Sequence, residues 1–425
     1  MPFMPEQQKL TIVHVTPSYK PAYCYGGPIL SVARLCEATI TGPYGLNCLV
    51  FTTNANGEKE LTLRGENSID GVPVFFYPRV TRDHTHFSPA LLLGLHRYLR
   101  KARLQGQPII MHIHSWWNLV AILSAILTLL HRIPLIISPR GMITNYTRTF
   151  RNTFMKRMLH LTIGKYLLKK AVLHATTSLE ARDIHLNCNR AKIKVIPNLL
   201  TTAALECLDE EQETSNLPSY IDDQQGTDPV NPDFRLLFLS RIDQKKGLEL
   251  LIQALSTLTF PWTLTIAGSG SLKYIRHLKQ LAGRLKISGN IRWVGQIAND
   301  AKYNLMARHD LLVLPSSSEN FGNVVLESLL VGTAVLISDQ VGLAAYVSKR
   351  DLGWVCRTTI ADVAATLICI QMDLPKRLKI RKDGAQQIRS DYSTASIMAD
   401  YRKLYEDVFR QNNTEASGTY NQVPW

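Results

Sequence analysis

Residues 311–332 read LLVLPSSSENFGNVVLESLLVG. The apolar run Leu311 to Leu314 predicts a strand, the serines after it predict a loop, and the residues after the Phe-Gly-Asn turn predict a helix. Glu319 lies in the loop, and Glu327 lies in the first turns of the helix. The unpaired N–H groups at such a helix N-terminus can hold an anion. The stretch therefore predicts an α/β fold with a ligand site after the strand.

Strand and helix patterns alternate along most of the chain. The chain has 425 residues, which is more than a domain with a single hydrophobic core usually contains, so two domains of roughly 200 residues are expected. Residues 1–200 and 234–393 each predict a doubly wound, mostly parallel sheet with helices on both faces. Residues 201–233 are acidic and polar without a clear period, which predicts a linker or surface excursion. A last helix over 394–411 and a polar tail over 412–425 complete the prediction.

Charge is distributed unevenly between the two halves. The net charge is +14; residues 1–200 hold 24 Lys and Arg against 9 Asp and Glu, while residues 201–425 hold 24 against 25. Residues 148–170 interleave cations with apolar side chains. This segment predicts either a solvated basic helix on a core or a surface that binds anionic lipid. No recognition motif accompanies the charge, so we expect no nucleic-acid partner.

Other features exclude several classes of protein. The seven cysteines are scattered without a CxxC pair, and no signal peptide is evident, so we expect reduced thiols, a cytoplasmic location and no metal site. The apolar run from Asn118 to Leu130 meets His131 and Arg132 after about 12 residues, too few for a transmembrane helix of about 20. It predicts a buried helix instead.

Cations and glycines follow the predicted strands of the second domain. Arg241 and Lys246 come after the strand LLFLS, where they suit a diphosphate, although incidental surface charge is the alternative. Gly268 follows another strand in a glycine loop that lacks the spacing of a dinucleotide site. We expect it to serve close packing or the approach of backbone to a nucleotide. Gly295 ends a third strand, where backbone can meet a base.

The two acids of the opening stretch suit a nucleotide sugar. Glu327, inside a helix, is placed to accept hydrogen bonds from vicinal hydroxyls such as those of a ribose. Glu319, in the preceding loop, can face a sugar. The alternative for either is a surface carboxylate stabilised by the helix dipole.

The first domain offers a second set of candidates. Gly26 and Gly27 let the backbone approach a phosphate or let a loop flex. His112 and His114 share one face of a strand, and His114 is nearer the carboxyl end, where ligands bind in open α/β sheets. The alternative for both is a structural histidine whose ring nitrogens are hydrogen-bonded within the protein, and this alternative is favoured for His112. Arg140 follows the next strand and could bind an acceptor anion or form a structural pair.

Together these motifs resemble the retaining nucleotide-sugar glycosyltransferases of the GT-B fold, family 4, and in particular bacterial polysaccharide-assembly members. The resemblance covers nearly the whole chain. It rests on GGP (26–28), HIHSWWN (112–118), SPRGM (138–142), HATTSLEARDI (174–184), VIPN (195–198), LSRIDQKKG (239–247), IAGSG (266–270), VGQI (294–297) and ENFGNVVLE (319–327).

The resemblance implies two Rossmann-like domains that face each other across a cleft, with the C-terminal helix crossing back to the first domain. It implies that Glu327 holds the ribose, Glu319 contacts the donor sugar and His114 lies at the reaction centre. The implied diphosphate site comprises Gly27, Arg241, Lys246, Gly322, Asn323 and Val324, and the implied base site comprises Gly268 and Gly295. His112 and Arg140 are candidates on the acceptor side.

The resemblance also implies an activity. The expected enzyme transfers a hexose-type sugar from UDP- or GDP-sugar to a lipid-linked or polysaccharide acceptor at the inner face of the plasma membrane. Retention would follow from front-face attack assisted by the leaving phosphate. Protein cations and a helix dipole would replace Mg²⁺, and the sequence has no DxD-type pair after a strand. The alternatives are a GT-B sugar-nucleotide epimerase and a non-catalytic nucleotide-sugar-binding scaffold.

Overall fold

The computed structural model describes residues 9–83, 85–144, 163–200, 234–298 and 301–420, the last eight of these by their main chain alone. The chain divides into two compact units, Met1–Leu199 with Thr394–Trp425, and Leu200–Ser393. Each unit contains a parallel or mostly parallel sheet flanked by helices, which confirms the predicted fold class. The expected linker over 201–233 and residues 148–162 of the basic segment lie outside the described residues.

The first unit is built on an eight-stranded sheet with the order β10-β9-β8-β7-β1-β2-β6-β5. Its strands are β1 Leu10–Thr16, β2 Leu46–Thr53, β5 Gly65–Ile69, β6 Val72–Tyr77, β7 Ile109–His114, β8 Leu135–Ser138, β9 Val172–Ala175 and β10 Lys192–Val195, with a separate hairpin of β3 Ala55–Asn56 and β4 Lys59–Glu60. Its helices are α1 Gly27–Thr41, α2 Pro89–Leu104, α3 Leu119–Leu130, α4 Lys165–Lys170, α5 Ser178–Asn187 and the C-terminal helix Thr394–Tyr420. The β5–β6 pair is antiparallel, and the other paired strands of this sheet are parallel.

The two faces of this sheet differ in chemistry. Side chains alternate along each strand, so Val13 and Val15 face an apolar core with α2 and α3. The intervening His14 belongs to the other face, which also carries the buried polar residues His112, His114, Ser138 and His174. The C-terminal helix packs on β7 and places the buried rings of Tyr401 and Tyr405 against these histidines.

The C-terminal helix is longer than its sequence pattern predicts. It continues to Tyr420, beyond the expected end at residue 411. The prediction ended where apolar periodicity ends, whereas the hydrogen-bond ladder of a helix needs no apolar face. Among the described helices, none combines the length and apolarity needed to cross a bilayer.

The second unit is built on a six-stranded parallel sheet with the order β13-β12-β11-β14-β15-β16. Its strands are β11 Phe234–Leu239, β12 Trp262–Ala267, β13 Ile291–Gly295, β14 Leu311–Leu314, β15 Ala334–Ser338 and β16 Gly353–Cys356. Its helices are α6 Leu248–Leu255, α7 Leu272–Arg284, α8 Ala301–Ala307, α9 Asn323–Leu330, α10 Ala344–Arg350, α11 Ile360–Met372 and α12 Leu374–Asp391. The strand order reverses between β11 and β14.

Candidate active site

The strand order of the second unit determines where its candidate residues meet. Ligands of open α/β sheets bind outside the carboxyl ends of the strands where the order reverses, which here is between β11 and β14. The loops after these two strands are joined directly, since Ser317 N donates to Lys245 O at 2.8 Å. Lys246 follows β11 and Glu319 follows β14, and their side chains form an ion pair. The structure thus brings the predicted cation and the predicted acid to the switch point.

The local field at this point favours an anion. Burial lowers the pKa of Lys245, and the neighbouring Lys246 and Arg241 lower it further, while Glu319 acts in the opposite direction. Lys245 was not among the predicted residues, because nothing in its sequence position distinguishes it from an ordinary surface lysine. Arg241 is exposed and Lys246 is buried. Asp243 also acts on Lys245, in the same direction as Glu319, so three cations and two acids leave a net positive site that suits a diphosphate.

Helix α9 supplies main-chain donors next to this site. Gly322 is its N-cap, with φ 89° in the left-handed region that favours glycine. Asn323 and Val324 are the first helical residues, at the end of the helix where the dipole favours an anion. The family resemblance implies that the amides of this turn hold phosphate and sugar.

Glu327 is not a surface carboxylate. Its side chain is 9% exposed and its Oε1 accepts a hydrogen bond from Lys302 Nζ at 2.8 Å, where the Lys302 side chain is 10% exposed. Sequence reasoning missed Lys302, which lies on α8, because no motif marks a partner on a separate helix. The pair holds the carboxylate of Glu327 in one orientation.

The two candidate glycines at the other strand ends differ in their surroundings. A Cβ on Gly268 would lie 1.9 Å from Ser240 O, so close packing of neighbouring loops requires glycine there. Its N–H donates to Gly295 O at 2.7 Å. A Cβ on Gly295 would meet nothing among the described residues within 4 Å. Gly268 therefore has a packing reason that is sufficient without a nucleotide.

In the first unit, His114 lies where the strand order reverses between β7 and β1. Its Nε2 lies 2.9 Å from His14 Nδ1, and Arg140 Nε approaches its Nδ1 at 3.4 Å. Arg140 Nη1 also donates to Asn198 Oδ1 at 3.0 Å. The predicted His114 and Arg140 are thus neighbours, and Asn198 joins them. His14 was not predicted, although it lies two residues before the carboxyl end of β1, the strand next to β7.

His112 is engaged entirely within the protein. Its Nδ1 lies 3.1 Å from the Tyr405 hydroxyl and its Nε2 lies 2.7 Å from Ser138 Oγ. Ser138 Oγ in turn lies 2.6 Å from His174 Nδ1. Both ring nitrogens of His112 are therefore used, which favours a structural role over the acceptor contact that the sequence suggests.

Burial keeps these imidazoles neutral. Desolvation, together with the Arg140 guanidinium, lowers the pKa of His14 and of His174 to about 3. Burial first, and then the neighbouring His112 and Arg140, lower the pKa of His114 well below its usual range. A neutral imidazole at the carboxyl end of a strand can accept a hydrogen bond or hold a hydroxyl.

Two further residues shape this edge of the first unit. Glu180 is buried, and its carboxylate accepts hydrogen bonds from Gly141 N and Thr176 N, each at 2.7 Å. It therefore holds the turn that carries Arg140, a role that the sequence reasoning missed. Gly27 begins α1, and its carbonyl accepts a hydrogen bond from Ser31 Oγ at 3.1 Å.

Comparison with known families agrees with the two-unit architecture. The family described as Glycosyltransferase Family 4 matches residues 26–203, and the family described as Glycosyl transferases group 1 matches residues 221–387. A phosphatidyl-myo-inositol mannosyltransferase from Mycolicibacterium smegmatis is 32% identical over 180 residues, which are 41% of this chain and 45% of that protein. A glycogen synthase from Mycobacterium tuberculosis is 30% identical over 174 residues, 40% of this chain and 42% of that protein. The chain thus matches less than half the length of these curated relatives.

Solved structures resemble the chain over nearly its whole length. Sucrose-phosphate synthase from Thermosynechococcus elongatus has a TM-score of 0.69 at 17% identity, covering 95% of this chain and 100% of that one. Anabaena HepE in complex with UDP and glucose has a TM-score of 0.65 at 17% identity, covering 93% and 99%. At these identities the likeness shows the fold alone. The chain belongs to the family 4 glycosyltransferases of the GT-B fold.

Proposed function

We propose that the protein is a retaining glycosyltransferase that moves a hexose-type sugar from a nucleoside-diphosphate sugar to a lipid-linked or polysaccharide acceptor. In this proposal the second unit binds the donor and the first unit binds the acceptor. The observation that carries it is the ion pair of Lys246 and Glu319 at the switch point of the second sheet, with Arg241 and Lys245 beside it.

The donor proposal follows from the charges at this point. When a diphosphate arrives, Lys246 exchanges its carboxylate partner for phosphate oxygens, and the exposed Arg241 engages them bidentately. The released Glu319 then faces the sugar. Glu327, oriented by Lys302, accepts hydrogen bonds from the ribose. The N–H groups of Asn323 and Val324 hold phosphate and sugar oxygens. These groups neutralise the leaving diphosphate, so we propose that transfer needs no metal ion.

The acceptor proposal rests on the first unit. His114 is kept neutral by burial, and in this proposal an acceptor hydroxyl replaces the Arg140 contact at His114 Nδ1, while Arg140 turns to an anionic group of the acceptor. The M. smegmatis relative is by its name a transferase for a phosphatidyl lipid, which supports a lipid-linked acceptor. We propose that the enzyme works in the cytoplasm at the inner face of the plasma membrane, with the basic segment 148–170 on anionic lipid.

A donor panel tests the activity. Purified full-length protein is incubated with UDP- and GDP-sugars, with and without a lipid-linked glycan acceptor, and the released nucleoside diphosphate is measured. We expect release that needs the acceptor and persists in EDTA. Interconversion of donor sugars without acceptor would indicate the epimerase, and donor binding without release would indicate the scaffold. Glu319→Ala with undiminished turnover would refute the role of that acid, and we expect a loss of at least about 100-fold.

Membrane binding is tested separately with vesicles. Vesicles with anionic lipid should bind the protein at low salt, and vesicles of neutral lipid should not, because the attraction to a basic surface is screened by salt. Binding that is equal for both vesicles, or unchanged at high salt, would count against the lipid-binding role of residues 148–170.

A further inference from the structure

A buried group of polar side chains in the first unit has no part in the proposed sugar transfer. Cys36 on α1, Cys48 on β2 and His14 on β1 each offer a ligand atom, and these atoms lie within 4.8 Å of one another. All three residues are buried, at 0%, 4% and 0% exposed. The cysteines are twelve residues apart because α1 crosses back over the sheet between β1 and β2, so their spacing in sequence gives no sign of the cluster.

One polar atom of this cluster, His14 Nε2, has no hydrogen-bond partner in the described part of the chain. The other ring nitrogen, His14 Nδ1, already lies 2.9 Å from His114 Nε2. The Tyr19 hydroxyl lies beside the thiols and is hydrogen-bonded with Cys36. A buried polar atom without a partner costs about 1–3 kcal/mol. An unpartnered imidazole nitrogen beside a pair of thiols needs a reason.

We propose that Cys36, Cys48 and His14 bind one Zn²⁺ ion at a structural site, with His14 Nε2 as the nitrogen ligand. Two thiolates and an imidazole are a ligand set that zinc prefers. Zn–S distances of about 2.3 Å and Zn–N distances of about 2.0 Å place the ligand atoms of a tetrahedral site roughly 3.5 Å apart. The ligand atoms of the cluster lie within 4.8 Å of one another, so small side-chain rotations would bring them to that spacing. The Tyr19 hydroxyl can donate to a thiolate or complete the coordination.

A different set of three histidines nearby is a poorer metal site. His14, His112 and His114 also bring ligand atoms within 4.8 Å of one another. However, both nitrogens of His112 are hydrogen-bonded to Tyr405 and Ser138. A metal there would break contacts that the cysteine site leaves intact.

The charge balance favours zinc in this position. Binding displaces one proton from each thiol, so Zn²⁺ and two thiols give a neutral bis-thiolate and two protons in solution. With the metal on Nε2, the proton of His14 lies on Nδ1 and is donated to His114 Nε2. Neutral His114 then carries its own proton on Nδ1, so metal binding would turn Arg140 Nε away from that nitrogen. The site would thereby hold α1 against two strands and orient the imidazole next to Arg140.

Metal binding to the full-length protein tests this proposal. The reduced protein is stripped with a chelator and titrated with Zn²⁺ against a chromophoric competitor. We expect about one equivalent bound with Kd below about 1 μM, release of two protons, and a higher melting temperature at saturation. Cys36→Ala and Cys48→Ala should each weaken binding at least about 100-fold. Cys188→Ala, which removes another buried thiol of the same unit, should bind like the wild type.

Cobalt provides a readout that does not depend on the variants folding well. Co²⁺ in the wild-type site should give thiolate-to-cobalt absorption in the near ultraviolet, with an intensity that indicates two thiolates. Reduced, folded wild-type protein that binds neither metal would overturn the proposal. So would zinc binding that is equal in the wild type and both cysteine variants, or a Cys36–Cys48 disulfide in a chain that binds no zinc after reduction.

Discussion

Replacing Lys302 by Met should destabilise the second unit by about 3 kcal/mol. Lys302 Nζ and Glu327 Oε1 lie 2.8 Å apart, and the two side chains are 10% and 9% exposed. At an effective dielectric of about 20, unit charges roughly 3 Å apart attract each other by about 6 kcal/mol before desolvation is counted. Breaking a buried pair by removing one partner costs about 3–5 kcal/mol, because the remaining charge is left alone. Because both side chains remain slightly exposed to solvent, we expect a cost at the lower end of this range.

The same reasoning makes the double variant informative. Lys302→Met with Glu327→Leu leaves no buried charge, so its stability should return to within about 1 kcal/mol of the wild type. Lys349→Met, on the exposed side of α10, serves as the matched control and should change stability by less than about 0.5 kcal/mol.

Urea unfolding followed by circular dichroism measures these differences, with each unit fitted as its own transition. UDP affinity is measured on the same variants by calorimetry. Because the pair orients Glu327, Lys302→Met should also weaken UDP binding. A Lys302→Met protein within about 0.5 kcal/mol of the wild type would refute the reasoning, as would a double variant less stable than the single one.

Three further predictions concern other parts of the molecule. Lys246→Met should lower UDP affinity about 10- to 100-fold, because it removes one charge-assisted hydrogen bond to the diphosphate. An affinity that calorimetry finds unchanged would contradict the diphosphate site. Gly268→Ala should lower the free energy of unfolding by about 1–3 kcal/mol more than Gly295→Ala does. Both glycines have positive φ, but only at position 268 would the added Cβ clash with a neighbouring main-chain atom. Equal losses of stability in urea unfolding would count against the packing role of Gly268. His174 has a folded pKa of about 3 against about 6.5 unfolded, so the unfolded chain binds more protons and stability falls as pH falls below about 6.5. From pH 7 to pH 5 this histidine alone should cost about 2 kcal/mol, and a His174→Gln protein with the same pH slope as the wild type would exclude it as a source.

The alternation of elements was predictable because buried parallel strands are apolar throughout. The run Leu311 to Leu314 and the strand Ala334 to Ser338 illustrate this, and both are strands in the structure. By contrast, we assigned no individual element from the sequence between residues 339 and 393, where the structure has β16 and three helices. Helix α12 there is rich in charge, and its few buried positions give little periodic signal.

The candidate site was predictable where residues follow strands, and not where partners come from elsewhere. Glu319 and Lys246 could be expected to meet because they follow strands that could be neighbours in the sheet. Lys302 could not be assigned to Glu327, since only packing brings α8 beside α9. The same holds for Cys36 and Cys48, whose scattered spacing led us to expect no metal site.

The buried histidine face of the first unit has a consequence for synthesis. Residues Tyr401 and Tyr405, which cover His174 and His112, are translated about 200 residues after the last strand of the sheet they cover. Until they arrive, the buried imidazoles of His112 and His174 lack this cover. The first unit therefore cannot complete its fold before the helix Thr394–Tyr420 has been translated. A nascent chain truncated before residue 394 should remain open to proteases and chaperones at these histidines, and the later helix closes that face.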